Sequence, residues 1–197
     1  MRIGFDARAV TLRGGIGTYT RNMLKQFADS PLEVVVFCED EAKSSIPHAD
    51  SFTLVSANMD ILAPLGRGAF RALVRTSKVD LLHVPSPWAP TPVPVPLVTT
   101  IHDVAPFLYR RTLPPLARML YKRQFHRTLE ESRRVITVSQ ILYSALGIYA
   151  GVDQTKVRVI HNGVSECFRP QTDPKALLAV RTRHSLPERF AFWAGDF

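Results

Sequence analysis

Two periods alternate along the chain. Short apolar runs rich in β-branched residues fall at 2–5, 33–37, 52–55, 81–84, 97–101, 135–138 and 157–160. Runs of this length predict strands buried on both faces, as in a parallel sheet. Between them, 18–28, 70–77, 115–131 and 140–149 carry apolar residues at intervals of three and four and are poor in Gly and Pro. That pattern predicts helices crossing from the end of one strand to the start of the next. The alternation of the two gives an α/β fold class, a doubly wound parallel sheet of the Rossmann-like kind.

The tract 85–96, PSPWAPTPVPVP, has six prolines in twelve positions. Proline lacks an N–H and holds φ fixed, so the tract neither pairs as a strand nor coils as a helix. It reads as a loop at the carboxyl edge of the sheet, either a rigid connector or a wall of the ligand crevice. Further on, 175–183 reads as a short helix, and 190–197 looks like a strand opening a new βα unit, with Gly195 beginning its loop. The expected domains are 1–170, Rossmann-like, and 171–197, a linker with the first strand of a second domain.

With 197 residues, 46% of them hydrophobic, the chain is long enough for one ordinary domain with a sizeable core. The net charge of +8 favours anionic partners such as nucleotide phosphates or lipid headgroups. Nucleic acid is not among the expected partners, because stacking motifs and a helix-turn-helix pattern are missing. The two cysteines, Cys38 and Cys167, form no CxxC pair. Neither a disulfide framework nor a metal site is expected, and a reducing cytoplasm fits. The opening MRIGFDARAV is interrupted too early by Asp6 and Arg8 for a leader, and no run of 18 apolar residues occurs. Segment 109–127 holds seven basic residues among Leu, Met, Tyr and Phe. On a helix, Arg118, Lys122 and His126 share one stripe beside an apolar face of Leu116 with Leu120 and Ala117 with Tyr121. It reads either as the solvated outer face of a packed helix or as a peripheral contact with anionic lipid on the inner face of a membrane.

Two places hold candidate chemistry. After the first strand, Gly14-Gly15-Ile16-Gly17-Thr18-Tyr19 opens a helix. Glycines there leave backbone N–H groups uncovered for a phosphate, which the helix dipole also favours. No Lys-Ser or Lys-Thr follows, so this is not a Walker loop, and Thr20 occupies the third glycine position of a dinucleotide fingerprint. Glu39 and Asp40, near the end of the second strand, keep an NAD-type reading open, and glycines serving only a tight turn are the bland alternative. The second place is Thr99-Thr100-Ile101-His102-Asp103, where a buried strand ends in an imidazole and a carboxylate. An imidazole there faces the crevice and exchanges protons near neutral pH; Asp103 either orients it or caps the loop. His83, His126 and His184 read as structural.

The order Ile3-Gly4-Phe5-Asp6-Ala7-Arg8, Gly14 to Tyr19, His102-Asp103, Val135-Ile136-Thr137-Val138-Ser139 and Val159-Ile160-His161-Asn162-Gly163-Val164 resembles the N-terminal domain of family 4 glycosyltransferases. The resemblance implies half of a GT-B architecture, in which two Rossmann-like domains face across a cleft. Such enzymes transfer a sugar from a nucleotide-sugar to a glycan or lipid-linked acceptor with retention, using no metal or other cofactor. It further implies that Gly15, Ile16 and Gly17 approach the donor diphosphate and that His102 lies beside the reacting centre. Asp6, Arg8, Tyr19 and Asp103 would line the cleft. Ser139 and Asn162 would touch ligand, with helix capping the other role open to Ser139. The paired glutamates of the family's donor-binding domain do not occur in this chain, so the chain alone is expected to be inactive. A non-catalytic nucleotide- or glycan-binding module and, less favoured, an NAD-binding domain are the alternatives.

Overall fold

In the computed structural model, which describes residues 1–59, 66–108, 114–165 and 167–193, all seven apolar runs form strands. They are β1 (Arg2–Asp6), β2 (Glu33–Cys38), β3 (Thr53–Ser56), β4 (Leu81–Val84), β5 (Leu97–Ile101), β6 (Ser132–Thr137) and β7 (Val157–Val159). Every pairing is parallel, in the order β3-β2-β1-β4-β5-β6-β7. The helices are α1 (Gly15–Ala28), α2 (Arg67–Thr76), α3 (Ala105–Leu108), α4 (Pro115–Glu131), α5 (Gln140–Ala150) and α6 (Pro174–Arg183). This is the α/β, Rossmann-like sheet that the periodicity predicts. The short α3 and the 3-10 turn Asp40–Ser45 left no such pattern.

Strand β2 shows why the sheet is covered on both faces. Alternate side chains point to opposite sides of a strand. Val34 and Val36 therefore join Phe5 and Leu24, while Val35 and Phe37 join Phe70, Val74 and Leu82. Each such side chain withdrawn from water contributes about 1.5–3 kcal/mol. A third cluster joins Ile101 and Val135 to Phe125 and Leu146. The edges are less buried than the apolar runs imply: Thr53 and Ser56 of β3 are exposed. Strand β6 begins three residues before its apolar run, because Ser132 and Arg134 pair with β5 on either side of an irregularity at Arg133, while both arginine side chains reach solvent.

The basic stripe of α4 turns out to face inward at α3. Arg118 Nη2 donates to the Phe107 carbonyl, Lys122 Nζ lies 4.8 Å from the Phe107 ring centre, and the His126 ring meets the same ring edge-on. Of the apolar face read from sequence, Leu116, Ala117 and Leu120 are exposed and Tyr121 is half-buried. A cationic head is drawn to the face of an aromatic ring and to a backbone carbonyl, which a hydropathy pattern does not encode. Part of this segment, 109–113, lies outside the described residues.

The proline tract is a loop, tied to the interior of α4. Gln124 Nε2 donates to the Ala89 carbonyl at 2.7 Å and Thr128 Oγ1 to the Pro87 carbonyl at 2.7 Å. The chain divides into two compact units, Met1–Asn162 and Gly163–Phe197. In the second, Asp173 caps α6 by accepting from the Lys175 N–H. Residues 190–193 form no strand, and 194–197, Gly195 included, lie outside the described residues. Among the described residues no helix is long and apolar enough to cross a membrane.

Candidate functional site

The strand order reverses between β1 and β4. Loops leaving adjacent strands in opposite directions open a crevice at that point. From β1, the Asp6 carboxylate, 1% exposed, accepts both from Arg8 Nε at 2.9 Å and from Arg8 Nη2 at 2.7 Å. The guanidinium also donates to the Met59 carbonyl and lies 4.2 Å from the Phe70 ring centre. Asp6 is thus enclosed as the partner of Arg8. Arg8, with Thr11, Leu12, Asn58 and Met59, reaches the wall of an open groove of about 500 Å³.

The glycines at the start of α1 divide their work. Gly14 holds a φ of 93°, a left-handed backbone that glycine adopts without strain. A Cβ on Gly17 would stand 1.9 Å from the Leu12 carbonyl oxygen, whereas a Cβ on Gly15 would meet nothing within 4 Å. Gly17 is therefore a packing glycine, and Ile16 beside it is half-buried. Gly15 borders open space next to first-turn N–H groups that no side chain caps. Accordingly, Gly17→Ala is expected to destabilise the protein by about 1–3 kcal/mol, while Gly15→Ala, at an open helical position, leaves Tm unchanged or slightly raised. Thermal denaturation of the two variants checks this; equal Tm values for both would count against the division.

Strand β5 delivers Thr100 and His102 to the same side of the sheet. The His102 Nε2–H donates to the Pro85 carbonyl at 3.2 Å, since a carbonyl only accepts. Neutral His102 accordingly keeps its lone pair on Nδ1. Burial lowers its pKa, opposed by the Pro85 hydrogen bond and the Asp103 charge. The Tyr19 ring stands edge-to-face against it, with centroids 4.8 Å apart. Tyr19 Oη lies 3.2 Å from Thr100 Oγ1, which in turn lies 2.9 Å from His83 Nε2. Burial raises the Tyr19 phenol, with Thr100 pulling the other way. His83, packed on Phe5, is lowered to about 4, first by burial and then by His102.

The remaining candidates have local roles. Asp103 Oδ1 accepts from the Ala105 N–H at the start of α3, and its carboxylate faces solvent. Ser139 Oγ accepts from the Leu142 N–H as the N-cap of α5. Asn162 is exposed beyond β7. Asp40, the carboxylate of the dinucleotide alternative, is bound by Asn58, Lys43 and Ser56, which hold it far below the usual carboxylate range. Among the described residues no group of three His, Cys, Asp or Glu stands ready for a metal ion. From sequence His83 read as structural and Thr100 had no role of its own. Their signal was present in the period-two pattern, which puts Thr100 on the same face of β5 as His102.

A parallel doubly wound sheet with a glycine-opened helix after its first strand defines a Rossmann-like domain. The model of Glycosyltransferase Family 4 matches residues 13–166, and the chain belongs to that family. Its fold is shared with GT-B glycosyltransferases of known structure. One is a glycosyltransferase from Rickettsia africae, at 18% identity and TM-score 0.63, covering 95% of this chain and 50% of that one. Another is sucrose-phosphate synthase from Thermosynechococcus elongatus, at 16% and 0.69, covering 95% and 53%. A third is Anabaena HepE in complex with UDP, at 18% and 0.62, covering 93% and 50%. The chain thus spans about half the length of these structures. No curated protein sequence matches it.

Proposed function

We propose that this chain is the acceptor-side half of a glycosyltransferase that moves a sugar from a nucleotide-sugar to a hydroxyl of a glycan or lipid-linked acceptor, with retention. The observation that carries the reading is the approach of His102 to the glycine-opened end of α1 through Tyr19, one helical turn beyond Gly15. Uncapped N–H groups and the helix dipole favour the negative charge that grows on a departing diphosphate. HepE holds UDP, which makes a nucleoside diphosphate a fitting leaving group here. With Nε2–H engaged by Pro85, the Nδ1 lone pair of His102 is free to accept a hydrogen bond from a sugar or acceptor hydroxyl. Most donor contacts belong to a second domain beyond this chain.

Calorimetry with UDP- and GDP-sugars tests the arrangement. The chain alone is expected to bind more weakly than ~10 μM, roughly 7 kcal/mol, and to turn nothing over. Adding the second domain restores transfer, with the anomeric configuration of the product read by NMR. Tighter binding by the chain alone would place the donor site elsewhere, and a two-domain protein that binds without transferring would make it a binding module.

A further inference from the structure

The outer face of α4 changes character along its length. Residues three, four, seven and eleven places after Leu116 return to its side of the helix, so Leu116, Met119, Leu120, Arg123 and Arg127 form one stripe. The opposite side, with Gln124, Phe125, Thr128 and Leu129, is buried. The stripe faces water: Leu116, Met119 and Leu120 are 65%, 59% and 53% exposed, and Arg123 and Arg127 are exposed behind them. Two carboxylates follow at its end, Glu130 on the stripe and Glu131, which accepts from the Val93 N–H.

A second set of cations lies on the same side of the sheet. Leu97 and Ile101 point to one face of β5. Leu97 packs in the cluster of Phe70 and Val74 from α2, and Ile101 in that of Phe125 and Leu129 from α4. Both helices therefore cover that face. On α2, Arg67, Arg71 and Arg75 recur every four residues, and the last two line a groove with Pro92, Val93 and Pro94 of the proline loop. Burial and then the Arg127 charge lower the pKa of Arg67, so the two stripes approach each other there. None of these five arginines pairs with a carboxylate among the described residues. Like charges gathered this way repel one another, and an anion from outside offsets that repulsion.

We propose that this face docks on an anionic bilayer surface, with Leu116, Met119 and Leu120 entering the headgroup boundary and the arginines meeting lipid phosphates. Its layout suits a charged plane better than a single anion. The arginines spread along two helices, over roughly 12 Å on α2 alone, and only Arg71 and Arg75 share a groove. Exposed apolar side chains with cations alongside also match a helix lying in a membrane interface. Because α4 follows β5, its apolar end starts from the carboxyl edge of the sheet, the edge that carries His102. Docking there brings lipid-borne hydroxyls to the crevice; this step rests on the acceptor reading above and selects its lipid-linked form.

Co-sedimentation of the full chain with vesicles tests the docking. Binding is expected to equimolar phosphatidylcholine and phosphatidylglycerol and not to phosphatidylcholine alone; equal binding to both, or to neither, overturns the proposal. Arg123→Glu with Arg127→Glu should weaken binding at least about 10-fold, and Leu116→Ser with Leu120→Ser about 10-fold or more. Lys175→Glu with Arg183→Glu makes the same charge change at exposed positions of α6 and should leave binding nearly unchanged. A matching loss in that pair would mean that net charge alone holds the vesicle, and the proposal falls. It falls too if sedimentation velocity shows the serine variants breaking a dimer of the free chain while vesicle binding persists. The wild-type comparison decides even where a variant does not fold. Vesicle binding needs no donor, so its failure leaves the crevice reading standing; intact vesicle binding by a complete enzyme that transfers nothing sinks that reading alone.

Discussion

Replacing His102 by alanine is expected to lower kcat of the complete enzyme about 10²- to 10³-fold, roughly 3–4 kcal/mol of barrier, with little change in thermal stability. In a retaining transfer the sugar develops positive charge while the acceptor hydroxyl loses its proton, and Nδ1 of neutral His102 is suited to either demand. The structural ties removed are one hydrogen bond to Pro85 and one ring contact with Tyr19, each worth on the order of 1 kcal/mol. The pH profile supplies a second check. Burial depresses the His102 pKa below 6.5, so the neutral form persists to lower pH than in a free imidazole. The acid limb of kcat should therefore fall below pH 6.5, and the alanine variant should lose that limb. A variant that unfolds several degrees earlier, while its folded fraction works normally, would make His102 a structural histidine.

Asp6→Ala is expected to destabilise the domain by about 3–5 kcal/mol, because it leaves the Arg8 guanidinium buried without its carboxylate. Both side chains are almost fully enclosed, 4% and 0% exposed, and solvent cannot take over the charge. For a domain of this size such a loss lowers Tm by roughly 10 °C or more. The double change Asp6→Ala with Arg8→Met should recover much of it, since an apolar pair of similar volume replaces a buried ion pair at small cost. Thermal and urea unfolding of the set measures this. A loss under about 1 kcal/mol in Asp6→Ala would show that Arg8 is held by other contacts, the Met59 carbonyl and the Phe70 ring among them.

The layers of the fold were legible because each is written in a local period. Apolar runs of four or five residues mark strands buried on both faces, and intervals of three and four mark the helices that cover them. Strand ends were legible too, so His102 at the carboxyl edge and the open start of α1 followed from sequence, while capping was only the second role open to Ser139. Only the tertiary structure decided how these parts combine. That Gly17 packs on Leu12 while Gly15 stays open depends on the path of the loop before α1. That Asp6 is closed off by Arg8, and that the cations of α4 lie against Phe107, depends on what each side chain meets across elements. Tyr19 and Thr100 stand 81 positions apart, and Thr100 and His83 stand 17 apart. Their hydrogen bonds follow from the parallel register of β4 with β5 and from the packing of α1 on the sheet. No local pattern carries those distances, because the pairing that sets them is fixed by burial summed over the whole core.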